Sequence, residues 1–189
     1  MRYPTRNHAL VPAVTWVLDG AVVRLEDGQG PPREVALAQV RALRLDFAPT
    51  RPERNRFRCR LVLASGETLT FFNRTYAGLN DFRDTSAAYG AFVTALVSAF
   101  RRHAPGCRYR AGTGVAVYAL NLLATGFIFC CFGAIAWFLY RINLTWMLVL
   151  KILILIFYVP ALLYWVVRNR PRAFDPTAIP PDLLPGVSP

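Results

Sequence analysis

Arginine recurs at Arg51, Arg54, Arg56, Arg58 and Arg60, leading into and through a stretch in which apolar residues alternate. A guanidinium is a permanently charged planar fork of N–H donors, a shape that fits two oxygens of a phosphate or a carboxylate at once. If Phe57 to Leu63 is a strand, Arg56, Arg58 and Arg60 leave it from one face, with about 7 Å between successive members. Together with Arg51 and Arg54 they form a cationic ridge, a candidate binding site for the anionic groups of a ligand or partner. The same pattern also describes a solvated strand face on which Asp46 and Glu53 pair part of the charge, and exposed pairs of that kind contribute little.

The remaining reactive residues do not assemble into chemistry. His8 and His103 have no cysteine or histidine at ligand spacing, so no metal site is expected. Of the 4 cysteines, Cys59 lies in the alternating stretch, Cys107 in a linker, and Cys130 and Cys131 side by side in an apolar run, where they act as small packing residues. With no clustered carboxylates and no nucleophile beside a base, the expectation is a non-enzymatic protein with no catalytic residue and no cofactor. The formal charge of +11 points to an anionic partner. Membrane lipid comes first, because a basic segment at an anionic leaflet gains about 1 kcal/mol per Lys or Arg. Nucleic acid ranks below it, since no recognised nucleic-acid module is present.

The elements that would position the arginines form a strand meander. Val14, Trp16 and Leu18 alternate up to the tight-turn pair Asp19-Gly20, and Ala21 to Leu25 returns. After the loop at 27–32 come Arg33 to Leu37 and Val40 to Phe47, the latter with Leu43, Leu45 and Phe47 on one face and Arg44 and Asp46 on the other. Phe57 to Leu63 and Thr68 to Phe72 flank the turn at Ser65-Gly66, and a seventh strand is open around Arg74 to Leu79. Tyr89, Phe92, Val93, Leu96 and Phe100 then recur at helical spacing, giving a helix from about Thr85 to Arg102 with Asp84 as its cap. Its apolar stripe must lie against the sheet. The fold class expected is α+β: a small bent antiparallel sheet or barrel of six or seven strands, closed by a carboxy-terminal amphipathic helix, ahead of a two-helix transmembrane hairpin.

In three stretches the chain resembles the pleckstrin-homology-like domains of bacterial membrane proteins. They are LDGAVVRLEDG (Leu18 to Gly28), similar to the first hairpin, REVALAQVRALRLDF (Arg33 to Phe47), and FRCRLVLASGETLTF (Phe57 to Phe71), similar to a later hairpin. The resemblance covers about Val14 to Arg102 and implies a bent sheet used as a binding scaffold. Phosphoinositide-binding relatives hold the headgroup in a roomy loop between their first two strands. Here that loop is reduced to Asp19-Gly20, which argues against that particular activity.

Two apolar runs, 114–140 and 144–167, are separated by Arg141, Ile142 and Asn143. At the helical rise they reach roughly 40 Å and 36 Å, enough to cross a bilayer core. The expected organisation is a flexible lead-in at 1–12, a cytoplasmic domain at 13–103, a linker at 104–113, a transmembrane hairpin at 114–168 and a proline-rich disordered tail at 169–189. Arginines before the first run and after the second outnumber Arg141 between them, and no apolar leader precedes the domain. The expectation is therefore a multi-pass protein of the bacterial inner membrane with both termini cytoplasmic. Ala119, Gly126, Cys130 and Ala134 follow helical spacing, a small-residue stripe that can pack a second helix, from this chain or from another copy. Lys151, the single lysine, is placed to snorkel, and Pro160 to kink the second run.

The leading functional expectation is a membrane-anchored binding or scaffolding protein whose domain meets a protein partner or anionic lipid. An accessory subunit of a transporter or envelope-assembly complex is the alternative. A membrane enzyme or transporter comes last.

Overall fold

The computed structural model describes residues 1–50, 55–78, 81–141, 149, 156, 159–160, 163–164 and 166–186. They fall into two units: residues 1–112 with 172–189, and residues 113–171.

In the first unit, β1 (Arg2–Thr5), β2 (Val14–Asp19), β3 (Val22–Glu26) and β4 (Arg33–Ala36) form one antiparallel sheet in that order. The β2–β3 turn works because Gly20 takes φ 55°, a left-handed conformation that only a residue without Cβ adopts freely. A second sheet has the order β11-β10-β5-β6-β7, built from β5 (Val40–Phe47), β6 (Phe57–Leu63), β7 (Thr68–Phe72), β10 (Arg108–Ala111) and β11 (Arg172–Ala173). A small hairpin pairs β8 (Arg74–Gly78) with β9 (Asp81–Asp84). Helix α1 (Ser86–His103) buries Tyr89, Phe92, Val93, Leu96, Val97 and Phe100 in the core shared by the two larger sheets. Asp84 accepts a hydrogen bond from the Ser86 N–H at 2.8 Å at the start of this helix.

Asn73, between β7 and β8, joins two other elements. Its Oδ1 accepts from the Phe57 N–H at 2.7 Å, and its Nδ2 reaches the Asn55 carbonyl at 3.0 Å and the Ser86 hydroxyl at 2.9 Å. The side chain is fully buried, so one amide ties the start of β6 to the first turn of α1.

Several expectations are corrected. The lead-in is partly a strand: β1 pairs with β2, and Tyr3 is fully buried with its ring 5.6 Å from that of Phe92. Pro4 is compatible with this because β1 is an edge strand, where a missing N–H breaks no ladder bond. The expected linker carries β10, which runs parallel to β5. The expected disordered tail returns as β11 against β10, places Phe174 5.8 Å from Tyr109, and buries Leu183 in a short 3-10 turn. Strands therefore outnumber the six or seven expected.

The second unit contains α2 (Val115–Arg141). Among the described residues, its Val115–Phe138 stretch is the one helix long and apolar enough to cross a membrane. The two-helix transmembrane hairpin is thus not what the structure shows, and the expected multi-pass topology with both termini cytoplasmic fails with it. Most of the second run, 144–167, lies outside the described residues, Lys151 included. That run also contains a charge and a proline within its length, which Val115–Phe138 does not.

Candidate functional site

The ladder of the second sheet decides which side chains share a face. Leu43, Leu45 and Phe47 of β5 and Phe57, Cys59, Leu61 and Leu63 of β6 are buried in the core, so the intervening residues face outward. Register then aligns Arg110 of β10 with Arg44 of β5, Arg44 with Arg60 of β6, and Arg60 with Thr70 of β7. One row across three neighbouring strands is therefore arginine at every position. The adjacent row aligns Asp46 with Arg58 and Arg58 with Phe72. Arg108 lies two residues from Arg110 on the same face, and Arg56 leads into β6 with its guanidinium 3.7 Å from the centre of the Phe72 ring.

A single carboxylate stands among these groups in the described residues. The Asp46 side chain has 0% exposure, against 28% for Arg58 and 23% for Arg60. Arg58 Nε donates to both Asp46 oxygens, at 3.2 and 3.0 Å, and its terminal NH2 group donates to Oδ2. Arg60 Nε stands 3.3 Å from Oδ1. Burial lowers the Arg60 pKa; Asp46 opposes that shift, while Arg58 and Arg44 add to it by crowding like charge. Arg44 Nε is buried with no hydrogen-bond partner among the described residues. Like charges directly opposed across a ladder destabilise it, and Asp46, the one carboxylate on this face among the described residues, cannot neutralise the five guanidinium groups of Arg44, Arg58, Arg60, Arg108 and Arg110. An anion seated over Arg44 and Arg60 would relieve that repulsion.

The sequence-predicted ridge is only partly in view. Arg56, Arg58 and Arg60 sit at the start of β6 and along it, while Arg51 and Arg54 lie outside the described residues. Arg44, Arg108 and Arg110, absent from the expected ridge, join it through strand register. The alternation of Arg44 and Asp46 with buried leucines was the one signal in the sequence that could have indicated part of this.

Ala119, Gly126, Cys130 and Ala134 lie on α2 and are all exposed within the second unit. Cys59 is buried, and burial pushes its thiol pKa well up; burial likewise takes that of Cys107 to about 11. Both thiols are therefore protonated and unreactive at neutral pH. No group of His, Cys, Asp and Glu suited to a metal occurs among the described residues. Compared with protein-family models, curated proteins and solved structures, the chain matches none.

Proposed function

We propose that this chain is a non-enzymatic, membrane-anchored binding or scaffolding protein. Its pleckstrin-homology-like domain presents the arginine face of β10, β5, β6 and β7 to anionic lipid headgroups, and α2 holds the chain at the bilayer. The observation that carries the reading is the row Arg110, Arg44, Arg60, three aligned cations beside which Asp46, 3.3 Å from Arg60, is the one carboxylate on this face among the described residues. At an anionic leaflet each such residue contributes about 1 kcal/mol.

The anchor rests on α2. Leu120, Leu123, Phe127 and Trp137 are each at least 65% exposed, an apolar surface that lipid would cover and water would not tolerate. In the sequence only Gly112, Thr113 and Gly114 separate the arginine-bearing β10 from this helix, so a helix in lipid keeps that strand within reach of headgroups.

Lipid selectivity tests the reading on the full chain. The protein is reconstituted in phosphatidylcholine mixed with phosphatidylglycerol and extracted in a nonionic detergent, and the retained lipid is quantified by mass spectrometry. Phosphatidylglycerol should be enriched over the starting mixture, less so at high salt, and should fall to the bulk ratio in Arg44→Gln/Arg60→Gln. Bulk-ratio lipid on the unmodified chain would remove the lipid assignment.

A further inference from the structure

The two larger sheets leave a seam between their edge strands, β1 in one and β7 in the other. At one end the seam is stitched by side chains: the Tyr3 hydroxyl donates to the Phe72 carbonyl and is paired with Thr85 Oγ1 at 2.9 Å. Further along it opens into a cavity of about 270 Å³, lined by Thr5, Asn7, Val14, Trp16, Leu25 and Leu69 among others.

Ladder parity shows which backbone groups face this opening. The Leu63 N–H donates to the Glu67 carbonyl, and the Asn73 N–H to the Phe57 carbonyl, so the odd-numbered residues of β7 carry the bonds to β6. In an antiparallel pair the alternate residues then turn their N–H and C=O groups the other way. Thr68 and Thr70 therefore direct theirs to the edge, which no strand among the described residues pairs with, and both residues line the cavity. Two of the lining residues, Thr5 and Asn7, each have a side-chain oxygen, Oγ1 and Oδ1, buried with no hydrogen-bond partner among the described residues, and Thr5 is only 4% exposed. Buried polar atoms without partners are uncommon in folded proteins, and here they lie beside unpaired strand edge and apolar walls.

We infer that this seam receives an extended peptide of a partner protein, which adds to the free edge of β7 as a further strand. Only another backbone offers donors and acceptors at the spacing that Thr68 and Thr70 present. The alternation of a strand also fixes the side chains required. Inward residues enter the cavity beside Val14, Trp16 and Leu25 and are small and apolar. Outward residues continue the row Arg110, Arg44, Arg60, Thr70 by one strand spacing of about 4.8 Å, and there acidic side chains meet the field of Arg58 and Arg60. The partner segment therefore alternates Asp or Glu with Val, Ile or Thr. The site uses the edge of the sheet, whereas lipid uses its face, so a scaffold could hold both.

The test uses the full chain in nonionic micelles and a pool of fluorescent synthetic peptides in which Glu or Asp alternates with Val, Ile or Thr. A second pool has the same composition in scrambled order. Alternating peptides should bind by anisotropy, scrambled ones at least tenfold more weakly, and binding should slow hydrogen exchange at the Thr68 and Thr70 amides. Thr70→Pro deletes an edge N–H that β6 does not use and should abolish binding. Thr5→Val, nearly isosteric, should weaken it severalfold and serves as the second variant if Thr70→Pro does not fold. Arg44→Gln/Arg60→Gln distinguishes this site from the lipid face, since peptides held by the face alone would be lost there and retained in Thr70→Pro. That pattern, equal binding of both pools, absence of binding, or unchanged exchange at Thr68 and Thr70 would each overturn the proposal.

Discussion

Replacing Asp46 by Asn removes the one carboxylate that the described residues place on the arginine face, while keeping its volume. Asp46 has 0% side-chain exposure and accepts from Arg58 Nε at 3.0 and 3.2 Å, with Arg60 Nε 3.3 Å away. Breaking a buried ion pair by removing one partner costs about 3–5 kcal/mol. Arg58 and Arg60 keep 28% and 23% exposure, and an Asn oxygen still accepts one bond, so the loss falls lower, at roughly 2 kcal/mol. For a domain of this size that lowers the melting temperature by about 6–10 °C. Thermal unfolding of the full chain in nonionic micelles, followed by near-ultraviolet circular dichroism, reads the shift. The repulsion argument adds a second requirement: sulfate should restore more of the lost stability in Asp46→Asn than it adds to the unmodified chain, because the anion occupies the place of the carboxylate. An unchanged midpoint, or a loss that sulfate does not reduce, would refute the reasoning.

Three further outcomes follow from the same structure. Asn73→Ala removes the buried side-chain acceptor of the Phe57 N–H and releases Ser86, so urea unfolding should show about 2–4 kcal/mol of lost stability. Phe174→Ala and Leu183→Ala should each cost about 2–4 kcal/mol in the same assay, whereas a disordered tail would make both silent. Folding keeps the Cys107 thiol protonated, with its pKa raised to about 11, while the unfolded thiol ionises near 8.5. The native state therefore binds more protons in that interval, its stability should fall as pH rises from about 8.5 towards 11, and Cys107→Ala should flatten this part of the alkaline limb in pH-dependent melts.

Local pattern made the middle of the domain readable. Alternation at Phe57, Cys59, Leu61 and Leu63 marks β6, and the 3.6-residue recurrence from Tyr89 to Phe100 marks α1, because each element declares its own period within a few residues. The site was only half legible for the opposite reason. Arg56, Arg58 and Arg60 share a strand, but Arg44 and Arg110 join them through pairings that cross long stretches of chain, and no local pattern encodes register. Proline composition misled at both ends: Pro4 concealed the strand that buries Tyr3, and the prolines around Phe174 and Leu183 concealed two anchors too isolated to register as a periodic face. At the second apolar run, hydropathy alone suggested a crossing that the described residues do not show.

The central claim is that anionic lipid meets the face bearing Arg44, Arg58 and Arg60. Val62 lies on that face, aligned with Ala42 on one side and Thr68 on the other, so a photoreactive residue substituted there in the full chain reports what comes against it in intact membranes. Irradiation should give covalent adducts dominated by anionic phospholipid, strongly reduced in Arg44→Glu/Arg60→Glu. Adducts only with neutral lipid or with none, or an anionic-lipid yield unaffected by the charge reversal, would contradict the account.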